Sequence, residues 1–502
     1  MILQATKLKE AKGVKAVEED KGVRLMTTYT PDFLELPQQV WPKISKEGNR
    51  RAGEDIVIGF VDTGINPTHP SFAALDLTNP FSSNLSRLNF SGDCEIGPLF
   101  PPGSCNGKII SARFFSAGAR ASVDLNASLD ILSPFDASGH GSHVASIAAG
   151  NAGVPVTVDG FYYGRASGMA PRARIAVYKA IYPSIGTLVD VIAAIDQAIM
   201  DGVDVLTLSV GLDEPPVDKP TVLGIFDLAM LLARKAGVFV VQAAGNHGPS
   251  PSSVVSYSPW VVGVAAGSTD RSYPASLILD GGTTVQGVGL SDILAPGHQI
   301  WGAWSFPSAY DPILTGRNFA ILSGTSMAAP HIAGIGALIK QLNPSWTPAM
   351  IASAISTTAS GYDRSGEVVS AESYGIGEWL PSNHFAYGAG HVNPARAIDP
   401  GLVLPAGFED YISFLCSLPN INPATIRAAT GVWCTTVLSH PANLNQPSVT
   451  ISALSGSLVL PDVEVVDEVP EVEVVDEVPE EAEEEEDDAA LDAVVLVAVG
   501  GG

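Results

Sequence analysis

Five stretches of this chain are apolar almost without interruption, at residues 55–63, 173–181, 203–211, 238–246 and 260–267. Runs such as DIVIGFVDT, ARIAVYKAI and VFVVQAAGN predict strands buried on both faces, as in a parallel sheet. Between them the period lengthens to that of a helix. After Thr187, a residue suited to capping, Leu188, Val191, Ile192, Ile195 and Ile199 share one face, and Gly202 offers a stop. A second helix is predicted over 222–236, ending at Gly237. Strands alternating with helices across short links predict a doubly wound, mostly parallel α/β domain, with its site at the carboxyl ends of the strands. Asp62, Ser209 and Asn246 fall there.

The pattern breaks near the end. VEVVDEVPE occurs at 463–471 and again at 472–480, followed by EAEEEEDD. The chain has 502 residues and a net charge of −26, but 17 acidic residues and no Lys or Arg lie within 461–502, leaving −9 for the remainder. Self-repulsion predicts a disordered, solvated tail, with a partner-binding role as the alternative. The body has no basic stripe for nucleic acid, no span of about 18 or more apolar residues for a membrane, and no leader-like N-terminus.

Four cysteines form two local pairs, Cys94 with Cys105 and Cys416 with Cys434, which fits two disulfides or four buried thiols. Asn84, Asn89 and Asn126 each begin an Asn-x-Ser acceptor for N-glycosylation, favouring an oxidising compartment.

Four segments carry candidate chemistry. Asp62-Thr63-Gly64 ends the first strand; the aspartate serves a proton-sharing pair, a histidine-orienting role, or only a turn. No second Asp-Thr/Ser-Gly exists for the first option. His140 stands between glycines in DASGHGSHVASIAAG; with His143 it forms a His-x-x-His pair, but no glutamate follows His140 and no third ligand is evident, so no metal or other cofactor is expected. Ser326, in SGTSMAAPHIAG, opens an amphipathic helix, as a cap or as a nucleophile facing the helix dipole. Asn246, in VVQAAGNHGPS, ends a strand among glycines and carries a side-chain amide. Asp, His, then Ser is the subtilisin order of a catalytic triad; the α/β-hydrolase order begins with a serine in Gly-x-Ser-x-Gly, which Ser326 does not match.

With VIGFVDTGINPTHPSF, GHGSHVASIAAG, VDVLTLSVG, VVQAAGNHGPS, SGTSMAAPHIAG, NPSWTPAMIASAISTTA and YGAGHVNPARAIDPGLV, the chain resembles the subtilase superfamily of serine proteases, most of all its plant branch, across roughly residues 13–450. The resemblance implies a three-layer subtilisin-like α/β fold and a secreted, glycosylated endopeptidase acting on proteins or peptides. It implies Ser326 as nucleophile, His140 as general base and acid, Asp62 as orienter, and Asn246 with the Ser326 N–H as oxyanion hole. Leu208, Ser209, Val210 and Gly211 resemble one wall of the family's substrate cleft; Ala243, Ala244 and Gly245 resemble the other.

The same resemblance divides the chain into a remnant of an inhibitory prosegment (1–26), a peptidase domain (27–425), the opening of a C-terminal β-sandwich (426–460) and the acidic tail. Processing is expected near 26–28. The protease-associated insertion that plant members carry is missing at Ser291-Asp292, with the Phe-Ser-Ser-x-Gly-Pro stretch that follows it. These departures suggest a truncated or misassembled version, and leave a second reading: a relative inactive through missing core segments, acting as a binding or decoy protein. A third, an acidic interaction protein, rests on the tail alone.

Overall fold

The computed structural model describes residues 29–46, 48–74, 89–211, 222–248, 253–269, 293–305, 314, 316–372, 379–382, 387–419, 421–447, 449–451 and 493–495. Asn84, the expected processing site, the Ser291-Asp292 junction and the acidic repeat lie outside these residues.

The predicted strands form, each shorter than its apolar run: β1 (Val57–Asp62), then β2 (Ile109–Phe114) and the helix α1 (His140–Ala149). A hairpin of β3 (Val154–Val158) and β4 (Phe161–Ala166) leads to β5 (Arg174–Lys179), α2 (Leu188–Asp201) and β6 (Val205–Leu208). Next come α3 (Ile225–Lys235), β7 (Phe239–Ala243), β8 (Val262–Gly267) and β9 (Ile293–Pro296). A second hairpin, β10 (Ile300–Ala303) and β11 (Phe319–Leu322), feeds α4 (Thr325–Leu342), followed by α5 (Pro348–Thr357), α6 (Phe408–Ser417) and α7 (Pro423–Thr430).

Seven strands make one parallel sheet in the order β2-β5-β1-β6-β7-β8-β9. From β1 the chain goes first to the edge strand β2, fills the gap with β5, then crosses over and adds β6 to β9 on the other side. The crevice between β1 and β6 is therefore a topological switch point, where open α/β sheets place their sites.

One face of the sheet buries α1 and α4 with Ile58, Phe60, Val241 and Phe239. The other buries α2, α3 and α6 with Val57, Val61, Leu206 and Trp260. Helices on both faces make the three-layer α/β architecture that the pattern predicts. Thr187 caps α2 by accepting the Asp190 N–H, and Gly202 ends it at φ 85°, a left-handed conformation that suits glycine.

Two details differ from the sequence reading. The helix expected over 222–236 begins at Ile225, because Gly224 takes an extended conformation at its N-cap. The buried face of α2 is Val191, Ala194, Ile195 and Ala198, whereas Leu188 is 38% exposed. The buried face is thus rotated from the predicted one, taking in Ala194 and Ala198 and leaving Leu188 outside. Beyond α6, Ile426 of α7 and Leu444 are buried in the same layer, and Val449–Ile451 pairs antiparallel with Ala493–Val495. The sulfurs of Cys94 and Cys105 are bonded, as are those of Cys416 and Cys434, with Cα separations of 6.3 and 5.9 Å.

Candidate active site

Three adjacent strands, β1, β6 and β7, deliver their carboxyl ends to one place. Asp62 is the last residue of β1 and is 2% exposed. Its Oδ1 accepts the Thr63 N–H at 2.8 Å and lies 2.7 Å from Nδ1 of His140, while Oδ2 has no hydrogen-bond partner among the described residues. His140 is the first residue of α1, with its side chain 28% exposed. A carboxylate at Nδ1 selects the tautomer that donates from Nδ1 and leaves the Nε2 lone pair free. Burial lowers the imidazole's proton affinity, but the charge and hydrogen bond of Asp62, aided by Asp136, outweigh it and raise the pKa above the usual 6.5.

Ser326 lies in the first turn of α4, which is reached directly from β11. The N-cap Gly324 has φ 144°, a conformation in which a side chain would be strained, and it lies in contact with the Asn246 amide. Ser326 Oγ donates to the Ser209 carbonyl at 3.0 Å, and Ser209 Oγ donates back to the Ser326 carbonyl at 2.8 Å. The two hydroxyls lock the start of α4 onto the end of β6.

Asn246 follows β7 and is exposed. Its Oδ1 accepts both the N–H and the hydroxyl of Thr325 at 3.0 Å. The carbonyl oxygen is thus committed, and the NH2 group has no hydrogen-bond partner among the described residues. The Gly245 N–H reaches the same Thr325 hydroxyl at 3.3 Å.

The remaining expected residues fall around this crevice. Leu208 and Ser209 are buried at the end of β6, Val210 is half-buried and Gly211 exposed. Ala243 and Ala244 are buried and Gly245 is half-buried. A Cβ on Gly211 or on Gly245 would meet the same Val255 methyl, at 3.0 and 3.2 Å, so the two segments flank one side chain. Asn89 and Asn126 are exposed, although Asn126 Oδ1 accepts the Ser128 hydroxyl at 2.7 Å.

His143 does not join His140. It is fully buried one turn on, with Nε2 near the carbonyls of Ile300 and Ala320, and burial pushes its pKa down to about 3. Among the described residues no group of three or more His, Cys, Asp or Glu is arranged to hold a metal, and no helix is long and apolar enough to cross a membrane.

Sequence reasoning passed over Asp136, Thr63 and Thr325, which orient the groups above. Thr325 was legible only as the neighbour of Ser326; Asp136, four residues before His140, resembled an ordinary turn residue.

The profile of the Subtilase family matches residues 53–377. The chain is 64% identical to subtilisin-like protease SBT2.4 of Arabidopsis thaliana, in a match covering 91% of this chain and 77% of that protein. It is 38% identical to SBT2.6 and 37% to SBT2.5 of the same plant, each match covering 90% of this chain and 77% of the relative. The match to SBT2.4 runs over 637 positions, more than the 502 residues of this chain, so that relative carries internal residues without counterpart here. The chain belongs to the subtilase family of serine-type peptidases.

Proposed function

We propose that the protein is an endopeptidase in which Ser326, His140 and Asp62 act as a catalytic triad and Asn246 supports the oxyanion. The observation that carries this reading is the 2.7 Å contact of Asp62 with His140 Nδ1, in the crevice shared with Ser326 and Asn246. Ser326 Oγ turns from the Ser209 carbonyl toward His140 Nε2 and attacks the scissile carbonyl as the imidazole takes its proton. Asp62 stabilises the imidazolium, which then protonates the leaving amine. The Asn246 NH2 and the Ser326 N–H receive the developing oxyanion at the positive end of α4. The segments 208–211 and 243–245 bind the substrate chain on either side.

The bonded cysteine pairs and exposed acceptors at Asn89 and Asn126 support secretion and glycosylation. Fluorophosphonate labelling tests the reading: intact protein reacts, and the Ser326→Ala and His140→Ala variants do not. Labelling that survives Ser326→Ala overturns it. A second reading, an inactive relative that only binds, is favoured by the internal residues of SBT2.4 that this chain lacks. Soluble, cooperatively folded protein that fails to label selects it.

A further inference from the structure

Asp136 stands behind the Asp62–His140 pair, bonded to neither side chain but to the segments that carry both. Its carboxylate is fully buried. Oδ1 accepts the Thr63 hydroxyl at 2.9 Å and the N–H groups of Gly139 and Ser138 at 2.7 and 3.1 Å; Oδ2 accepts the Ser142 N–H at 2.8 Å. Gly139, the N-cap of α1, has no side chain to satisfy the free N–H groups of the first turn, and Asp136 supplies that cap from three residues upstream. Thr63 accepts the Gly141 N–H at 2.8 Å and donates its own N–H to Asp62. The contacts close a ring: Asp62, Thr63, Asp136, the first turn of α1, His140, and back to Asp62.

A helix cap does not need a charge, and burying one is costly unless it is compensated. Compensation comes from the donors and from Lys179. This fully buried lysine is the register partner of Asp62 and donates to the Ile131 and Phe135 carbonyls at 2.9 and 2.7 Å, on the segment that leads into Asp136. The charged and titratable groups around the ring are Asp62, His140, His143, Asp130 and Lys179. Burial lowers the pKa of Lys179 to about 8, against the pull of Asp136 and Asp130, so it is a cation at neutral pH.

We propose that Asp136 is a positioning residue for His140: its buried carboxylate fixes the imidazole-bearing turn against the Asp62–Thr63 backbone. The inference rests on His140 being the general base. The Asp136 charge is among the causes that offset burial at His140, after those of Asp62. Neutralising it without changing its shape therefore moves the acid limb of activity to lower pH, a displacement that loss of a structural cap alone does not produce.

The test uses the full chain and fluorophosphonate labelling rates against pH, which need no known substrate, alongside thermal melts. Asp136→Asn is expected to label with its acid limb displaced to lower pH and up to about tenfold slower at the optimum. Asp136→Glu keeps the charge but shifts the turn, so its limb stays while the rate falls by about 100-fold, the scale of a misplacement near 1 Å. If the Asn variant does not fold, Asp136→Ser is a smaller neutral cap with the same expected displacement. A limb that coincides with wild type in the neutral variant overturns the proposal, whatever the melting temperature does. Wild type that fails to label, or His140→Ala that labels normally, instead overturns the reading of the site, and this inference falls with it.

Discussion

The two faces of the central sheet are packed by different means. On the face of α1 and α4, backbones approach closely because side chains are missing. A Cβ on Gly141 would lie 2.3 Å from the Gly64 carbonyl oxygen, and one on Gly334 would lie 2.5 Å from the Met169 Cβ. Two histidines are fully buried there, His143 and His331, whose Nδ1 lies 2.8 Å from the Met327 carbonyl. On the face of α2 and α3, large side chains fill the space: Trp260 and Tyr411 meet edge to face at 5.9 Å, with Phe226, Met230 and Leu231 around them. The proposed catalytic groups His140 and Ser326 ride on α1 and α4 of the first face, where Gly141 lets α1 approach the Gly64 backbone. The second face supplies burial through those side chains.

This contrast can be broken by experiment. The largest effect belongs to the nucleophile. Ser326→Ala should abolish peptide cleavage in initial-rate assays; in subtilisin, of this same family, loss of the triad serine costs about 10⁶-fold in kcat. Melting should fall only slightly, since the hydrogen bond to the Ser209 carbonyl is lost and is worth about 1 kcal/mol.

Asn246→Ala comes next. It should lower kcat by about 10²–10³, again the scale found in subtilisin, with KM nearly constant. A rise in KM at unchanged kcat would make Asn246 a substrate-binding residue instead.

Acid should then destabilise the catalytic face. His143 and His331 have folded pKa values lowered to about 3 and about 4 by burial. Unfolded, each takes a proton below about 6.5. The unfolded state therefore binds more protons between about pH 6.5 and 4, and stability falls as pH drops through that window. Each histidine contributes about 1.4 kcal/mol per pH unit there. Denaturant titrations at pH 7 and pH 5 measure this, and His331→Leu should shrink the difference by one histidine's share.

Two core substitutions sharpen the contrast at smaller scale. Gly334→Ala forces a methyl against Met169 and the Ala148 carbonyl, and should cost about 1–3 kcal/mol. Ile195→Val, in the opposite layer, should cost about 0.5–1.5 kcal/mol and leave activity intact. Equal losses of activity from the two would remove the distinction between the faces.

The chain's comparison with its relatives touches the same question. SBT2.4 carries internal residues that have no counterpart here, and the Ser291-Asp292 junction directly precedes β9, the last strand of the sheet. The edge of β9 is not bare: the Leu294 N–H donates to the Gly390 carbonyl at 2.9 Å, and the Val392 N–H donates to Leu294 at 2.8 Å.

The strands, their parallel character, the capping of α2 by Thr187 and Gly202, and the clustering of Asp62, Ser209 and Asn246 at strand ends were all legible in the amino acids. These features follow from local rules. Apolar runs, helical period and capping chemistry act within a few residues of one another, so the chain displays them directly. The order β2-β5-β1-β6-β7-β8-β9, the rotation of α2 toward its alanines, the seat of the Ser326 hydroxyl on Ser209 and the role of Asp136 were decided only in three dimensions. Ser326 and Ser209 are 117 residues apart, and Asp136 and Thr63 are 73 apart. Nothing local distinguishes an aspartate that ends a turn from one whose carboxylate ties that turn to a distant strand end; the partners that make the difference arrive only when distant strands close the sheet.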